Sequence, residues 1–224
     1  MEFIDIILLI IVYLYVILVF IISEKFINNK EFIKRKFVHI MVGNMIFIMP
    51  FFTNPLVMVY YLTIPITIGA FLISKYSPFK INNIVSSSGH DLGLVYYAGI
   101  WTILIFIFNE NLWIVGLAMA PMVYGDGFAS LIGEKYGKNK FSLTKDIKSL
   151  EGSLAMFIVT FILSYLILMY YSFLNYPIGN INMIVIFIIS LIATITEAIS
   201  FKGLDNLTVP SITAILYFFF MGIS

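Results

Sequence analysis

Long apolar runs recur from one end of this chain to the other, and no other feature of the sequence restricts its folding so tightly. Eight stretches stand out: Ile6–Ile22, Phe37–Phe52, Pro55–Ile73, Leu92–Phe108, Leu112–Ile132, Gly152–Leu174, Ile181–Phe201 and Thr208–Ile223. A helix that crosses a bilayer needs about 20 apolar residues, with roughly 17–25 tolerated. Most of the stretches reach that length, while Phe37–Phe52 and Thr208–Ile223 fall short and need their flanks or a thinned, water-filled surrounding. None alternates polar with apolar as a barrel strand does. Hydrocarbon offers no partner to the backbone, so helices are expected. Only 11% of the 224 residues are charged, against roughly 25% in soluble domains. That balance excludes a soluble enzyme, a disordered chain and a nucleic-acid binder with a broad basic face. The expected fold is all-α: a polytopic membrane helix bundle of about eight transmembrane helices, one domain over residues 1–224. Ile6–Ile22 has no small-residue cleavage site and is expected to remain as a helix. There is no cysteine, hence no disulfide framework, thiolate metal site or cysteine nucleophile.

The basic residues orient this bundle. Counted from the N-terminus, the odd connections hold Lys25, Lys30, Lys34, Arg35 and Lys36, then Lys75 and Lys80, then Lys135, Lys138, Lys140, Lys145 and Lys148, then Lys202. These are all 13 Lys and Arg of the chain; the even connections and both ends carry none. Cytoplasmic loops concentrate Lys and Arg, so the odd connections are expected in the cytosol and both termini outside. A different number of spans would scatter the cations over both sides. The net charge of +1 supplies no global field that selects a partner.

Ionisable groups inside apolar helices are costly and mark candidate sites. Asp126 sits roughly 9 Å, and Glu197 roughly 6 Å, from the cytosolic ends of their runs at ~1.5 Å rise per residue. His39 stands just inside the start of the second run, one turn after Arg35. Three runs thus bring costly groups to one depth. Gly125, Ala129, Gly133 and Gly137 recur every four residues and form a face on which another helix approaches closely. Ser190, Thr194 and Glu197 form a polar stripe on the seventh run. In the longest hydrophilic segment, Leu143, Ile147 and Leu150 fall at helical spacing, so part of it is expected to lie along the interface as a helix.

These residue types suit phosphate chemistry. Asp126, Glu151, Glu197 and Asp205 can hold Mg²⁺, which favours one or two carboxylates plus phosphate oxygens. Arg35, Lys36, Lys138 and Lys148 can neutralise phosphates, and Gly133, Gly137 and Gly152 permit close backbone approach. His39, Asp126 or Glu197 can take a proton from a hydroxyl delivered by the bilayer. Gly133 and Gly137-Lys138 lack the spacing and the following Ser or Thr of a Walker A loop.

Four blocks in this set resemble the CTP-dependent polyprenol kinase family, which includes dolichol, phytol and farnesol kinases and the yeast-type CTP-dependent diacylglycerol kinase. Arg35-Lys36-Phe-Val-His39 is similar to its RKxxH block. Asp126-Gly-Phe-Ala129-Ser-Leu-Ile-Gly133-Glu-Lys-Tyr-Gly137 resembles its DxxAxxxGxxxG segment. Lys148-Ser149-Leu-Glu151-Gly152-Ser153 resembles the following K-[ST]-x-EG-[ST], and Glu197 with Asp205-Asn206-Leu-Thr-Val-Pro210 resembles the terminal E…DNxxxP. Order and spacing agree from residue 35 to residue 210. The segment with His90 and Asp91 is only loosely similar to a further block.

The resemblance implies a membrane enzyme that moves the terminal phosphate of a nucleoside triphosphate, typically CTP, with a divalent cation, to a long-chain isoprenoid alcohol. It implies catalytic roles for Asp126, Glu197 and His39, and Mg²⁺ ligation by Asp126, Glu151 and Glu197. Resemblance and residue chemistry together make Arg35, Lys36, Ala129, Gly133, Gly137, Lys138, Lys148, Ser149, Glu151, Gly152, Asp205 and Asn206 the expected nucleotide- and phosphate-binding residues. The lipid alcohol comes from the bilayer and the nucleotide from the cytosol, at the face of a prokaryotic plasma membrane; no nucleic acid is involved. Dolichol kinases are usually much longer, and this compact chain is nearer to phytol kinases and short prokaryotic members. Two alternatives stand beside it. A CTP:lipid-phosphate cytidylyltransferase uses similar groups, although its C-terminal signature is not evident here. An ion-coupled transporter would use Asp126 and Glu197 as coupling sites.

Overall fold

Each apolar run becomes one helical rod in the computed structural model, which describes residues 1–27, 31–77, 92–144, 146–179, 182–201 and 203–221. Lys30, Lys80, His90, Asp91, Lys145 and Lys202 lie outside the described residues. The rods are α1 (Phe3–Phe26), α2 (Glu31–Gly43), α3 (Leu56–Leu72), α4 (Gly93–Ile107), α5 (Leu112–Tyr136), α6 (Leu150–Phe173), α7 (Met183–Ile199) and α8 (Asp205–Met221). Two 3₁₀ turns, Asn44–Phe47 and Met49–Phe51, prolong α2. Among the described residues, α1, α5 and α6 are long and apolar enough to cross a membrane; α3, α4, α7 and α8 are shorter apolar helices. The chain is therefore an all-α protein with three candidate membrane-spanning helices among the described residues.

Burial ranks the rods. In its most apolar window α5 is 83% buried, against 39% for α6 and 22% for α1. A helix that is apolar on every side is stable only at the centre of a bundle or in lipid; α5 takes the first position and α1 the second. Ile10, Leu14 and Ile17 of α1, and Ile158, Ile162 and Leu166 of α6, remain exposed at helical spacing, as lipid-facing stripes do. Hydrogen bonds tie α1 to its neighbours: Tyr13 Oη donates to the Tyr61 carbonyl at 2.6 Å and Tyr15 Oη to that of Met41 at 2.7 Å. At its N-terminal end Asp5 accepts from the Thr53 amide at 2.9 Å and hydroxyl at 2.8 Å.

The small-residue face is used by α6. A Cβ on Gly152 would stand 2.9 Å from the Ala129 carbonyl and 3.4 Å from the Gly133 Cα, so the two backbones touch there. The hydrophilic segment before α6 departs from the expected interfacial helix. It forms a short antiparallel hairpin, β1 (Lys140–Phe141) on β2 (Lys148–Ser149), with Lys140 opposite Ser149. Leu143 and Ile147 stay 67% and 74% exposed outside any helix, so their spacing is not that of a packed stripe. Pairing β1 to β2 instead sets Lys148 immediately before α6, where Ser149 caps the helix by accepting from the Gly152 amide at 3.1 Å.

Candidate active site

The site is built on a widened turn of α5. Pro121 lacks an N–H, and from Pro121 to Asp126 the chain takes π-helical bonding before regular helix resumes at Gly127. Such single wide turns expose backbone groups and recur at functional sites. Asp126 closes the turn and is buried at 6% exposure. Two residues of α2, one turn apart, meet it. Lys36 Nζ lies 2.6 Å from Asp126 Oδ2, and His39 Nε2 donates to the Met122 carbonyl at 2.9 Å, 4.0 Å from the same Oδ2. A carbonyl only accepts, so the His39 nitrogen nearest Asp126 carries a proton and braces the wide turn. Tyr97 packs on the His39 ring at 4.4 Å between centroids and donates to the His39 carbonyl at 3.1 Å. Ser130 Oγ completes the shell of Asp126 at 3.3 Å.

Two further carboxylates arrive from the last two helices. Ser190, Thr194 and Glu197 of α7 are all buried, as the stripe in the sequence requires. Gly203 then takes φ +79°, a left-handed conformation that suits glycine, and turns the chain into α8. The turn is tied by Ser200 Oγ and Thr208 Oγ1, 2.9 Å apart, and by Asn206 Nδ2 donating to the Gly93 carbonyl at 2.8 Å. It returns Asp205 onto Glu197. Carboxylate oxygens of Asp126, Glu197 and Asp205 lie within 4.8 Å of one another. Lys148 bonds the carboxylate and the backbone carbonyl of Glu197.

Three carboxylates this close repel strongly where water is scarce, and the ammonium groups of Lys36 and Lys148 offset only part of that charge. An all-oxygen donor set of this kind fits a hard divalent cation such as Mg²⁺. A bound cation would leave both lysines able to turn toward phosphate oxygens. Glu151 is not in this group of three. Half-buried in the first turn of α6, it accepts from the Asn139 amide at 3.2 Å and from Asn139 Nδ2 at 2.8 Å, which occupies its oxygens away from Asp126. The carboxylate that joins Asp126 and Glu197 is Asp205, supplied by the α7–α8 turn.

A cavity of about 1060 Å³ opens on these groups. Arg35, Lys36, His39, Asp126, Ala129, Gly133, Lys148, Ser149, Gly152, Glu197, Asp205 and Asn206 all line it, whereas Gly137, Lys138 and Glu151 do not. Ser130, one turn after Asp126 in the sequence, lines this wall too, whereas sequence reasoning missed Lys140, the Met122 carbonyl that holds His39, and the pairing of Lys36 with Asp126 across 90 residues. Only the Met122 carbonyl had a local signal, in Pro121 within an apolar helix.

Comparison with known proteins finds phytol kinases among the similar chains. The chain is 33% identical to the probable phytol kinase, chloroplastic, of Triticum aestivum over 139 residues, 58% of this chain and 44% of that protein. It is 27% identical to the phytol kinase of Synechocystis sp. over 197 residues, 82% of this chain and 77% of that protein. With phytol kinase 1, chloroplastic, of Arabidopsis thaliana it shares 28% identity over 210 residues, 86% and 68% of the two chains. The matched part spans less than half the length of the wheat protein and of a similar rice protein, at 44% and 43%. No family model matches, and no solved structure matches. The chain is similar to the phytol kinases, which lie within the family that the four sequence blocks resemble.

Proposed function

We propose that this homologue of the phytol kinases is a membrane-embedded lipid-alcohol kinase. It transfers the terminal phosphate of a nucleoside triphosphate, CTP by family resemblance, to a long-chain isoprenoid alcohol. The observation that carries this reading is the union of Asp126, Glu197 and Asp205 with Lys36 and Lys148 in one cavity. Homology to enzymes named as phytol kinases supports the acceptor class.

The alcohol oxygen attacks the terminal phosphorus as the bond from that phosphorus to the bridging oxygen breaks, releasing the nucleoside diphosphate. The hydroxyl proton passes to a carboxylate of the group, Asp126 or Glu197. Positioning and charge neutralisation carry most of the catalysis, as is general for phosphoryl transfer. Lys36 and Lys148 are placed to neutralise phosphate oxygens, and the close packing of Gly133 on Gly152 holds α5 and α6 together beside them. Mg²⁺, held by Asp126, Glu197 and Asp205, would supply charge stabilisation of the triphosphate. The same reading makes the chain a single domain of eight spans with the site on the cytosolic side of a prokaryotic plasma membrane and both termini outside.

The test is purified protein with CTP, UTP, ATP or GTP, labelled at the terminal phosphate, against phytol, geranylgeraniol, a long polyprenol and diacylglycerol. Label should move to a prenyl alcohol with release of nucleoside diphosphate. Release of pyrophosphate with the base label on lipid would show a cytidylyltransferase instead. Cation-driven uptake into proteoliposomes, with no use of nucleotide, would show a transporter.

A further inference from the structure

The cavity does not end at the charged groups. Away from the lysines it continues as an apolar arm between α1, α2, α3 and α4, lined far from the site by Val16, Met45, Thr63 and Trp101. Val16 stands ten residues before the end of α1, Thr63 nine before the end of α3, and Trp101 eight after the start of α4. At ~1.5 Å per residue these positions lie about 12–15 Å along their helices, close to the middle of a hydrocarbon core ~30 Å thick. One side of the arm is open. Phe20 and Leu94 in its wall are 52% and 51% exposed, and Gly69, also in the lining, is exposed; a Cβ on Gly69 would meet nothing within 4 Å.

We propose that this arm holds the hydrocarbon tail of the acceptor, and that Gly69 is a specificity-determining residue at its lateral mouth. The inference rests on the lipid-kinase reading of the charged end. Its occupant is fixed by the chemistry of the two ends. Lysines and carboxylates at one end suit a hydroxyl and phosphates, while the other is mainly apolar and bordered by the exposed Phe20 and Leu94. An amphiphile with a polar head and a long apolar tail satisfies both, whereas a nucleotide alone leaves the arm unfilled. Gly69 lies inside α3, where glycine is a poor helix former, so its missing side chain is not explained by helix stability. It leaves the mouth open.

The chain has two tryptophans, which makes occupancy directly measurable. Trp101 lines the arm, while Trp113 lies in the core of α5 at 2% exposure. In a Trp113→Phe background, a brominated long-chain alcohol should quench Trp101 fluorescence saturably. Gly69→Phe should weaken that quenching, and raise KM for long prenyl alcohols, by roughly tenfold or more, since filling one apolar pocket position discriminates on that scale. Phosphorylation of a short prenyl alcohol should stay unchanged, and Gly69→Ala should behave as the parent protein.

Unsaturable quenching in the parent background overturns the proposal whether or not Gly69→Phe folds. So does a Gly69→Phe protein with parental quenching and parental KM for every chain length, while the kinase reading stands. Saturable quenching with no alcohol phosphorylated would keep the arm as a lipid-tail site and sink the kinase reading.

Discussion

Asp126 concentrates the residue-scale argument. It is buried, ends the wide turn of α5, and is held by Lys36 and Ser130 within 4.8 Å of two other carboxylates. Asp126→Asn keeps the shape and removes one charge of the cation site, so kcat should fall by about 10²–10³, the loss typical of one preorganised electrostatic group. Near-parental turnover of that variant in the labelled-phosphate assay would remove Asp126 from the chemistry. Glu151 should behave differently, because its oxygens hold Asn139 beside the cavity. Glu151→Gln should raise KM for the nucleotide by about tenfold, the worth of one charge-assisted hydrogen bond, with kcat nearly unchanged. A collapse of kcat instead would return Glu151 to the cation site. The sequence could flag Asp126 and Glu197 because a carboxylate in an apolar helix is costly wherever it points. Asp205 and Glu151 stood beside them as further candidate ligands, and nothing local said that Asp205, in a polar turn, would be the third member.

Among elements, the contact of α5 with α6 positions most of the site. The recurring small residues were legible because a four-residue repeat lies on one helix face. Gly152 was legible as a place of close backbone approach to phosphate, but not as the partner of this face. Gly152→Leu would force a side chain against the Ala129 carbonyl. It should destabilise the protein by about 1–3 kcal/mol and separate Lys148 from Glu197, lowering both thermal midpoint and activity. A variant with parental midpoint and turnover would show that the close approach is dispensable. The hairpin before α6 was not legible, since apolar spacing of three and four residues is also met by chance in a loop. The pairing of Lys140 with Ser149 depends on where α5 and α6 have already placed its ends.

For the whole molecule, the distribution of charge makes the clearest statement. All 13 cations fall in alternate connections, and Arg35, Lys36, Lys140 and Lys148 among them line a single cavity. The absence of native cysteine allows a direct test of sidedness. A membrane-impermeant maleimide added to intact cells should label Glu110→Cys and should reach Lys135→Cys only after permeabilisation. The reverse pattern would invert the bundle. By itself the sequence determined the helical class, the number of rods and the two costly carboxylates, because apolar length, backbone satisfaction in lipid and the price of a buried charge are all local properties. Only the tertiary structure decided that Asp205 completes the group, that His39 braces the wide turn, and that an apolar arm runs from the charged end to Gly69. Those facts join residues far apart in the chain, and nothing in a helix's own periodicity says which neighbour its polar face will meet.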